Sequence, residues 1–240
     1  MDISGSIALV TGANRGLGRH FAQQLLDRGA SKVYATARDP RTIEPRDGLV
    51  PLALDVTDPQ VVARAAEQAG DVTLLVNNAG VSAYDDLVTG DLDNLRRELE
   101  TNLFGPLHTI RAFAPILARN GGGAVVNVLS RMSWLNLAGA NGYAVSKAAA
   151  WSLTNGVRLE LAPQGTLVTG VYLSATDTDM MAGWDIPKND PADVVRATLD
   201  GVERGALEVI ADADTAATKQ ALSADPAAVY ADALAAPAAT

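Results

Sequence analysis

The amino-acid sequence predicts an α/β fold, namely a doubly wound, mostly parallel sheet of about seven strands with helices on both faces. Two observations lead to this prediction. Short apolar runs alternate with amphipathic stretches between residues 6 and 210, which is the pattern of successive strand and helix units. The first apolar run leads directly into a glycine-rich loop and then a helical pattern. With 240 residues and 48% hydrophobic content, residues 1–240 are expected to form a single domain.

The predicted strands are short apolar runs, most of which end in turn residues. They cover residues 6–11, 32–38, 49–54, 71–76, 123–129, 166–172 and 207–210. Helical periodicity predicts helices over residues 19–28, 58–69, 91–120, 144–161 and 190–204. Gly105-Pro106 should kink the longest of them. From Ala211 onward the chain is rich in alanine, which predicts a surface helix and a frayed tail.

Composition excludes several classes of function. The chain contains no cysteine and only two histidines, His20 and His108, so disulfides, a thiol nucleophile and a histidine-rich metal site are excluded, and no metal is expected. The net charge of −9 argues against nucleic acid or an anionic membrane as a partner. No apolar stretch is long enough to span a membrane and no signal peptide is recognisable, so a cytoplasmic protein is expected.

Glycines and polar residues follow the first, third and fourth predicted strands. Gly12, Gly16 and Gly18 lie between the first strand and its helix, where glycines let the backbone approach a pyrophosphate at a helix N-terminus. Asp55 and the turn at residues 77–80 follow the other two strands. Ligands of open α/β sheets bind beyond the carboxyl ends of the strands. The sequence therefore favours a dinucleotide site here, although a purely structural tight turn stays open for the glycines.

A tyrosine and a lysine, Tyr143 and Lys147, stand four residues apart in a stretch that favours helix, so both side chains lie on one helix face. A cation one turn away favours the phenolate, so we expect Lys147 to lower the tyrosine pKa from its usual value of about 10. This would suit general acid/base catalysis. Ser130 follows the fifth predicted strand, upstream of the pair. Taken alone, the pair is weak evidence and is more simply explained by an exposed tyrosine packed against a lysine stem.

These motifs, in this order, resemble the classical short-chain dehydrogenase/reductase family. The resemblance rests on Thr11-Gly12-x-x-x-Gly16-x-Gly18, Asp55, Asn77-Asn78-Ala79-Gly80, Asn102, Ser130 and Tyr143-x-x-x-Lys147, within residues 6 to about 180. The gap of 13 residues between Ser130 and Tyr143 matches the family's usual spacing. The resemblance implies a single-domain Rossmann fold and reversible hydride transfer between a nicotinamide and a carbonyl or secondary alcohol.

The resemblance also implies a role for each motif residue. Tyr143 would be the general acid/base, Lys147 would lower its pKa and bind the nicotinamide ribose, and Ser130 would hold the substrate oxygen. Asn102 would stabilise the helix kink and a water of a proton relay. The implied cofactor contacts are Gly12, Asn14, Arg15, Gly16, Leu17, Gly18, Arg38, Asp55, Val56, Asn78, Ala79, Gly80, Tyr143, Lys147, Thr176 and Thr178.

One departure concerns the segment after the sixth strand. The family commonly has Pro-Gly there, followed by a threonine that binds the carboxamide, whereas this chain has residues 173–180 without Pro-Gly. Thr178 aligns best with that contact, and Thr176 is the second candidate. A deep substrate lid is not expected, because the stretch from 180 to 190 is short. Met132, Trp134, Leu135, Met181 and Trp184 either line an apolar substrate pocket or are ordinary packing residues.

The second strand predicts NADP(H) as the cofactor. Members of the family that prefer NAD usually end this strand in an acidic residue, which accepts hydrogen bonds from the ribose and repels a phosphate. This chain has Ala37 and then Arg38. Arg15 in the glycine loop would face the same space, and two guanidinium groups could grip the extra phosphate of NADP(H).

The expected partners are a small carbonyl or alcohol substrate and further copies of the chain, because family members often pair through the long helix and the tyrosine-bearing helix. We therefore expect a homodimer or homotetramer. Two other classes of function stay open, namely a cofactor-binding sensor or scaffold without turnover, and a lyase or epimerase on the same fold. Retention of Asn102, Ser130, Tyr143 and Lys147 argues against the sensor, and net-redox-neutral turnover would identify the lyase or epimerase.

Overall fold

The structure, a computed structural model, describes residues 1–235 and contains seven strands in one sheet. The strands are β1 (Ile7–Val10), β2 (Lys32–Ala37), β3 (Leu49–Ala53), β4 (Leu74–Asn77), β5 (Ala124–Val128), β6 (Leu167–Tyr172) and β7 (Glu208–Ile210). Their order across the sheet is β3-β2-β1-β4-β5-β6-β7, and every neighbouring pair is parallel. The predicted fold class is thus confirmed, and the strand order reverses between β1 and β4, where such sheets bind ligands.

Nine α-helices connect and extend these strands within the described residues. They are α1 (Gly16–Asp27), α2 (Pro59–Gln68), α3 (Leu92–Leu99), α4 (Gly105–Arg119), α5 (Asn141–Leu161), α6 (Pro191–Glu203), α7 (Ala213–Gln220), α8 (Pro226–Val229) and α9 (Ala231–Ala235). Asp58 and Asp190 cap α2 and α6, each followed by proline in the first turn, as predicted from their sequence. None of the helices in residues 1–235 is long and apolar enough to cross a bilayer.

The central strands are buried on both faces, and successive residues contribute to opposite cores. In β1, Ala8 and Val10 pack with α1 and α6, whereas Leu9 packs with α2, α4 and α5. The same alternation holds in β4, where Leu74 and Val76 face one core and Leu75 the other. This two-residue period explains why these strands appear as continuous apolar runs rather than as alternating ones.

The predicted long helix over 91–120 is interrupted. Its two α-helical parts, α3 and α4, are joined by a π-helical segment, Glu100–Phe104. A β-carbon at Gly105 would lie 2.8 Å from Cγ2 of Val56, so only glycine lets the helix pass Val56 at this distance. The predicted kink is therefore present as a π-bulge, a distortion that is frequent at functional sites.

The alanine-rich segment from Ala211 is only partly a surface element. Thr215 of α7 is fully buried, and Asp212 accepts hydrogen bonds from its backbone and side chain. The Asp212 carboxylate also accepts from the backbone N of Ser174 and from Nδ2 of Asn189. The segment that lacks the family's Pro-Gly is thereby fixed to the start of α7. The predicted frayed tail falls partly on residues 236–240, which lie outside the described residues.

Candidate active site

The carboxyl ends of β1 and β4 are joined by reciprocal hydrogen bonds. The side-chain oxygen of Thr11 accepts from the backbone N of Asn78 and of Ala79, at 2.9 Å each. The Asn78 amide donates to the backbone oxygens of Thr11 and Gly12, at 2.9 and 3.2 Å. The two turns that the sequence singled out therefore form one rigid unit at the centre of the sheet.

The glycine loop is shaped by close backbone approach. Gly12 and Gly16 have φ angles of +65° and +50°, which other L-residues seldom adopt. A β-carbon at Gly18 would overlap the carbonyl of Gly12. No side chain caps α1 at Arg15, so the amide groups of its first turn have no side-chain partner in the described chain. This is the arrangement that helix N-termini present to phosphate groups.

Two other predicted contacts in this loop are Asn14 and Leu17, and both are half-buried. The side chain of Leu17 packs against the core beneath α1.

The segment after β6 reaches the glycine loop through Thr178. A β-carbon at Gly16 would lie 3.4 Å from the Thr178 methyl group, and Thr178 itself is half-buried. Thr176 is 4% exposed, and its hydroxyl donates to the carbonyl of Ser174 at 3.1 Å. Of the two candidate threonines, the structure therefore favours Thr178 for a ligand contact.

Two arginines flank the place expected for the adenosine. Ala37 is buried at the end of β2, and Arg38 is exposed beside it. Arg15 forms an ion pair with Asp179 at 3.3 Å, in which both side chains are about two-thirds exposed or more. Because such exposed pairs contribute little stability, the Asp179 partner would compete only weakly with a phosphate for Arg15.

Asp55 lies near Arg38 and has its own internal partner. One carboxylate oxygen accepts from the backbone N and the hydroxyl of Thr57, at 3.0 and 2.7 Å. Burial acts to raise the pKa of Asp55, but these hydrogen bonds and the charge of Arg38 hold it below its usual value. Val56 next to it is buried, and its carbonyl accepts from Nδ1 of His108 at 3.1 Å. His108 is thus a structural residue, as expected.

Asn102 lies in the π-helical segment, 1% exposed, and its side chain is fully engaged within the protein. Its amide oxygen accepts from the backbone N of Val81, and its amide nitrogen donates to the Val81 carbonyl and to Oγ of Ser146, all at 2.9 Å. A β-carbon at Gly80 would lie 3.2 Å from the same amide oxygen. Asn102 therefore fixes the segment after β4 against α5. A water of a proton relay would therefore have to bind the backbone of Asn102, because the amide nitrogen of Asn102 is already engaged.

Ser130, Tyr143 and Lys147 come together at the end of β5. Ser130 is 7% exposed and caps a short 3₁₀ helix by accepting from the backbone N of Met132 at 3.1 Å. Its hydroxyl donates to the Leu173 carbonyl at 3.4 Å, and it lies close enough to Tyr143 to affect the pKa of that residue. Lys147 is 5% exposed, and its Nζ lies 5.6 Å from the centre of the Tyr143 ring. The three catalytic candidates thus form one cluster.

The prediction that Lys147 lowers the pKa of Tyr143 is wrong for the protein in this structure. Burial is the largest influence and raises the pKa of Tyr143 above its usual value. Ser130 opposes this rise, and the nearby Tyr84 and Glu98 add to it. Nζ of Lys147 instead donates to the Val128 carbonyl at 2.9 Å. Burial also lowers the pKa of Lys147 to about 8. Desolvation of both groups thus outweighs the attraction between them.

Sequence reasoning missed three residues of this site. Ser146 is fully buried between Tyr143 and Lys147, and its hydroxyl donates to the Tyr143 carbonyl at 2.7 Å. Glu98 is 1% exposed on α3 and accepts from the backbone N of Ala83 at 2.6 Å. Tyr84 contacts the segment after β6. The signal for Glu98 was its spacing, since residues 91, 95, 98 and 102 share one helix face.

The five apolar candidates divide into three groups. Trp134 stacks on Tyr172 with ring centres 4.3 Å apart and meets Trp151 edge-on, so it is a packing residue. Met181 and Trp184 instead contact Tyr84. Met132 and Leu135 are half-buried in the loop between β5 and α5.

Comparison with known proteins agrees with this geometry. A family profile described as short chain dehydrogenase matches residues 6–188. The chain is 31% identical over 215 residues to a 3-oxoacyl-acyl-carrier-protein reductase of Vibrio harveyi, covering 86% of each chain. It is also similar to a short chain dehydrogenase from Burkholderia cenocepacia, solved in complex with NADP, with a TM-score of 0.93 and 41% identity over 99% of this chain and 100% of the other.

A more distant structure shares the fold. It is a short chain dehydrogenase/reductase from Burkholderia phymatum, solved in complex with NAD, with a TM-score of 0.85 and 22% identity over 100% of this chain and 99% of the other. Nicotinamide cofactors of both kinds thus occur among the similar structures. The profile covers the glycine loop, the turn after β4 and the Ser130, Tyr143 and Lys147 cluster, so this chain belongs to the short-chain dehydrogenase family.

Proposed function

We propose that this protein is an NADP(H)-dependent oxidoreductase that interconverts a carbonyl compound and a secondary alcohol. The observation that carries the proposal is the cluster of Ser130, Tyr143 and Lys147, in which Tyr143 and Lys147 share a helix face and Nζ lies 5.6 Å from the centre of the Tyr143 ring. The geometry of the glycine loop supports the cofactor, because the close backbone approach at Gly12 and Gly18 excludes β-carbons and is typical of a turn that binds a pyrophosphate. When bound, the cofactor would supply or accept the hydride.

In the reducing direction, the Tyr143 hydroxyl donates a proton to the carbonyl oxygen, which the Ser130 hydroxyl holds by a hydrogen bond. The raised pKa of Tyr143 keeps the phenol protonated at neutral pH, as an acid must be. In the oxidising direction, the phenolate accepts the proton from the alcohol. Lys147 lies one turn along α5, where its ammonium group would donate to a ribose hydroxyl of the bound cofactor. Asn102 keeps the segment after β4 in register with α5.

The preference for NADP(H) over NAD(H) is part of the proposal. Ala37 leaves no carboxylate at the end of β2 to repel the additional phosphate, and Arg38 is exposed beside it. The acidic side chain nearest in sequence, Asp39, forms a two-pronged ion pair with Arg41 at 2.9 and 2.8 Å. The similar Burkholderia cenocepacia structure contains NADP, which supports the same choice here.

We also propose that residues 1–240 form one domain that assembles as a homodimer or homotetramer. All seven strands belong to one sheet, which supports a single domain. Apolar side chains on the helices expected to pair support the assembly, since Leu159 of α5 is 77% exposed and Phe104 beside α4 is 38% exposed. Light scattering at micromolar concentration should give two or four times the chain mass. Cell fractionation would test the predicted cytoplasmic location.

The reaction is tested by following NADPH absorbance with a panel of ketones, aldehydes and quinones, and with NADH as the comparison. We expect turnover of at least one carbonyl class with NADPH, and loss of that turnover in Tyr143→Phe. Product analysis distinguishes the other classes of function. Cofactor binding without turnover of any compound would favour a sensor, and conversion without net change of the cofactor would favour a lyase or epimerase.

A further inference from the structure

Tyr84 has an unusual backbone conformation. Among residues 1–235 it is the one non-glycine residue with a positive φ, at 55°. Bulky side chains are disfavoured in this left-handed region because Cβ approaches the following carbonyl. Residues in such conformations persist where the surrounding structure fixes them, and they concentrate at ligand clamps and active sites.

Contacts on both sides of Tyr84 fix its backbone. The N–H of the preceding residue, Ala83, donates to the buried carboxylate of Glu98 at 2.6 Å. The carboxylate of the following residue, Asp85, accepts from the backbone N of Asp91 and from Nδ2 of Asn94, at 2.9 Å each. Two acidic side chains thus hold the chain immediately before and after Tyr84.

The Tyr84 side chain crosses to the segment after β6. Its hydroxyl donates to the backbone carbonyl of Met180 and lies 3.5 Å from the sulfur of Met181. Its ring centre is 5.6 Å from that of Trp184, at a tilt of 37°. Tyr84 and Trp184 are 37% and 49% exposed, so apolar aromatic surface remains accessible on both sides of the contact.

This contact lies close to the catalytic cluster. The backbone N of Gly142, the residue before Tyr143, donates to the carbonyl of Asp85, the residue after Tyr84, at 3.5 Å. Val81, three residues before Tyr84, is fixed by Asn102. Thr178, two residues before Met180, approaches the glycine loop at Gly16. The segment from 178 to 184 therefore runs from the cofactor loop to Tyr84.

The two segments that meet here are acidic. Residues 81–90 and 177–190 together contain six aspartates and one lysine, namely Asp85, Asp86, Asp177, Asp179, Asp185, Asp190 and Lys188. Lys188 lies 3.9 Å from Asp177, and the neighbouring Arg15 pairs with Asp179. This negative charge would repel an anionic substrate, and neither segment offers an unpaired cation to attract it. An uncharged substrate would not be repelled.

We propose that Tyr84 and Trp184 form an aromatic clamp, which selects uncharged carbonyl substrates with a flat apolar body and holds them beside Tyr143. The inference rests on the proposed function, since it concerns the same site. Tyr84 and Trp184 already contact each other, with ring centres 5.6 Å apart, so a substrate would lie against the exposed faces of the pair and not between the rings. These faces and the thioether of Met181 suit a planar apolar group.

The test compares three ketones as substrates with NADPH, namely acetophenone, 4-acetylbenzoate and propanone. Acetophenone should have the highest kcat/KM of the three, because 4-acetylbenzoate adds a carboxylate to the same ring and propanone lacks the ring. Tyr84→Ala and Trp184→Ala should each lower kcat/KM for acetophenone about two- to tenfold, mainly through KM, which is the range of one aromatic contact. Both variants should leave propanone within about twofold of wild type, the size of a weak contact.

Two further variants serve as controls. Tyr84→Phe retains the ring and should keep most of the preference for acetophenone even if Tyr84→Ala folds poorly. Val88→Ala changes a side chain that is 96% exposed in the same loop and should match wild type with all three ketones.

Specific results would overturn the clamp. Equal losses with propanone and acetophenone in Tyr84→Ala, or a preference of wild type for 4-acetylbenzoate, would contradict it while leaving the proposed function intact. Reduction of other carbonyl compounds but none of these three would do the same. Absence of turnover with every carbonyl compound and both cofactors would instead reject the proposed function, and the clamp with it.

Discussion

Nζ of Lys147 donates a hydrogen bond of 2.9 Å to the backbone oxygen of Val128, the last residue of β5. This bond ties the catalytic helix to the strand that carries Ser130 two residues later. Nζ also lies over the Tyr143 ring, 5.6 Å from its centre. Lys147 therefore has a structural partner in addition to the role proposed in catalysis.

Burial of Lys147 predicts a pH dependence of stability. The pKa of Lys147 falls from 10.5 to about 8 in the folded protein, so between these values the unfolded chain binds more protons. The free energy of unfolding should therefore rise with pH across this window, by an amount on the order of 3 kcal/mol in total. Denaturant unfolding of wild type and Lys147→Met at pH 7.5 and 10 tests this. The difference between the two proteins should grow in favour of wild type, and a constant difference would contradict the expectation.

The two catalytic candidates on α5 should be separable by substitution. Tyr143→Phe removes one hydroxyl and should lower turnover by at least about two orders of magnitude, the range for a general acid/base, while NADPH still binds. Lys147→Met should impair both turnover and NADPH affinity, because Lys147 lies beside Tyr143 and is also proposed to contact the cofactor ribose. Single-turnover rates and fluorescence titration of NADPH measure the two effects. Near-normal turnover of Tyr143→Phe would reject its assignment.

Arg38 should determine the choice of cofactor. Arg38→Ala removes charge-assisted hydrogen bonds to the phosphate, each contributing roughly 1.5–3 kcal/mol, so KM for NADPH should rise about tenfold or more and KM for NADH should hardly change. Ala37→Asp should reverse the preference through repulsion. Arg41→Ala is the matched control, since Arg41 is 88% exposed and paired with Asp39. Equal or better kcat/KM of wild type with NADH would reject the argument.

The backbone of Tyr84 makes a prediction about stability that is independent of activity. Tyr84→Gly and Tyr84→Ala remove nearly the same side chain, but only alanine still has to adopt a φ of 55°. The glycine variant should therefore be the more stable of the two, by about 1 kcal/mol, although glycine is the less favourable residue at most other positions. Thermal and denaturant unfolding of the two variants decides the point. A more stable alanine variant would show that this loop relaxes freely.

Sequence was sufficient for the fold because its signals are local. The run of Ile7–Val10 and the loop at Gly12 predict a strand and a turn without reference to distant residues. Contacts between residues far apart in the sequence could not be predicted in this way. The spacing of Glu98 puts it on the same helix face as Asn102, but it does not reveal its partner, which is the backbone N of Ala83.

The pKa direction of Tyr143 failed for the same reason. Spacing reveals the cation at Lys147 but not the burial of both groups or the Val128 carbonyl that holds the ammonium. The φ of Tyr84 is likewise set by Glu98 and Asn94 through its neighbours, not by its own sequence.

Glu98 should influence the pH at which Tyr143 works. Its charge contributes to raising the pKa of Tyr143, so Glu98→Gln, which keeps the acceptor for Ala83, should lower that pKa. In alcohol oxidation the rate follows the phenolate, and the midpoint of kcat/KM against pH should therefore move to lower pH. Glu100→Gln is the control, because Glu100 is exposed two residues away. A purely structural role would reduce activity at all pH values and leave the midpoint unchanged, and that result would contradict this prediction.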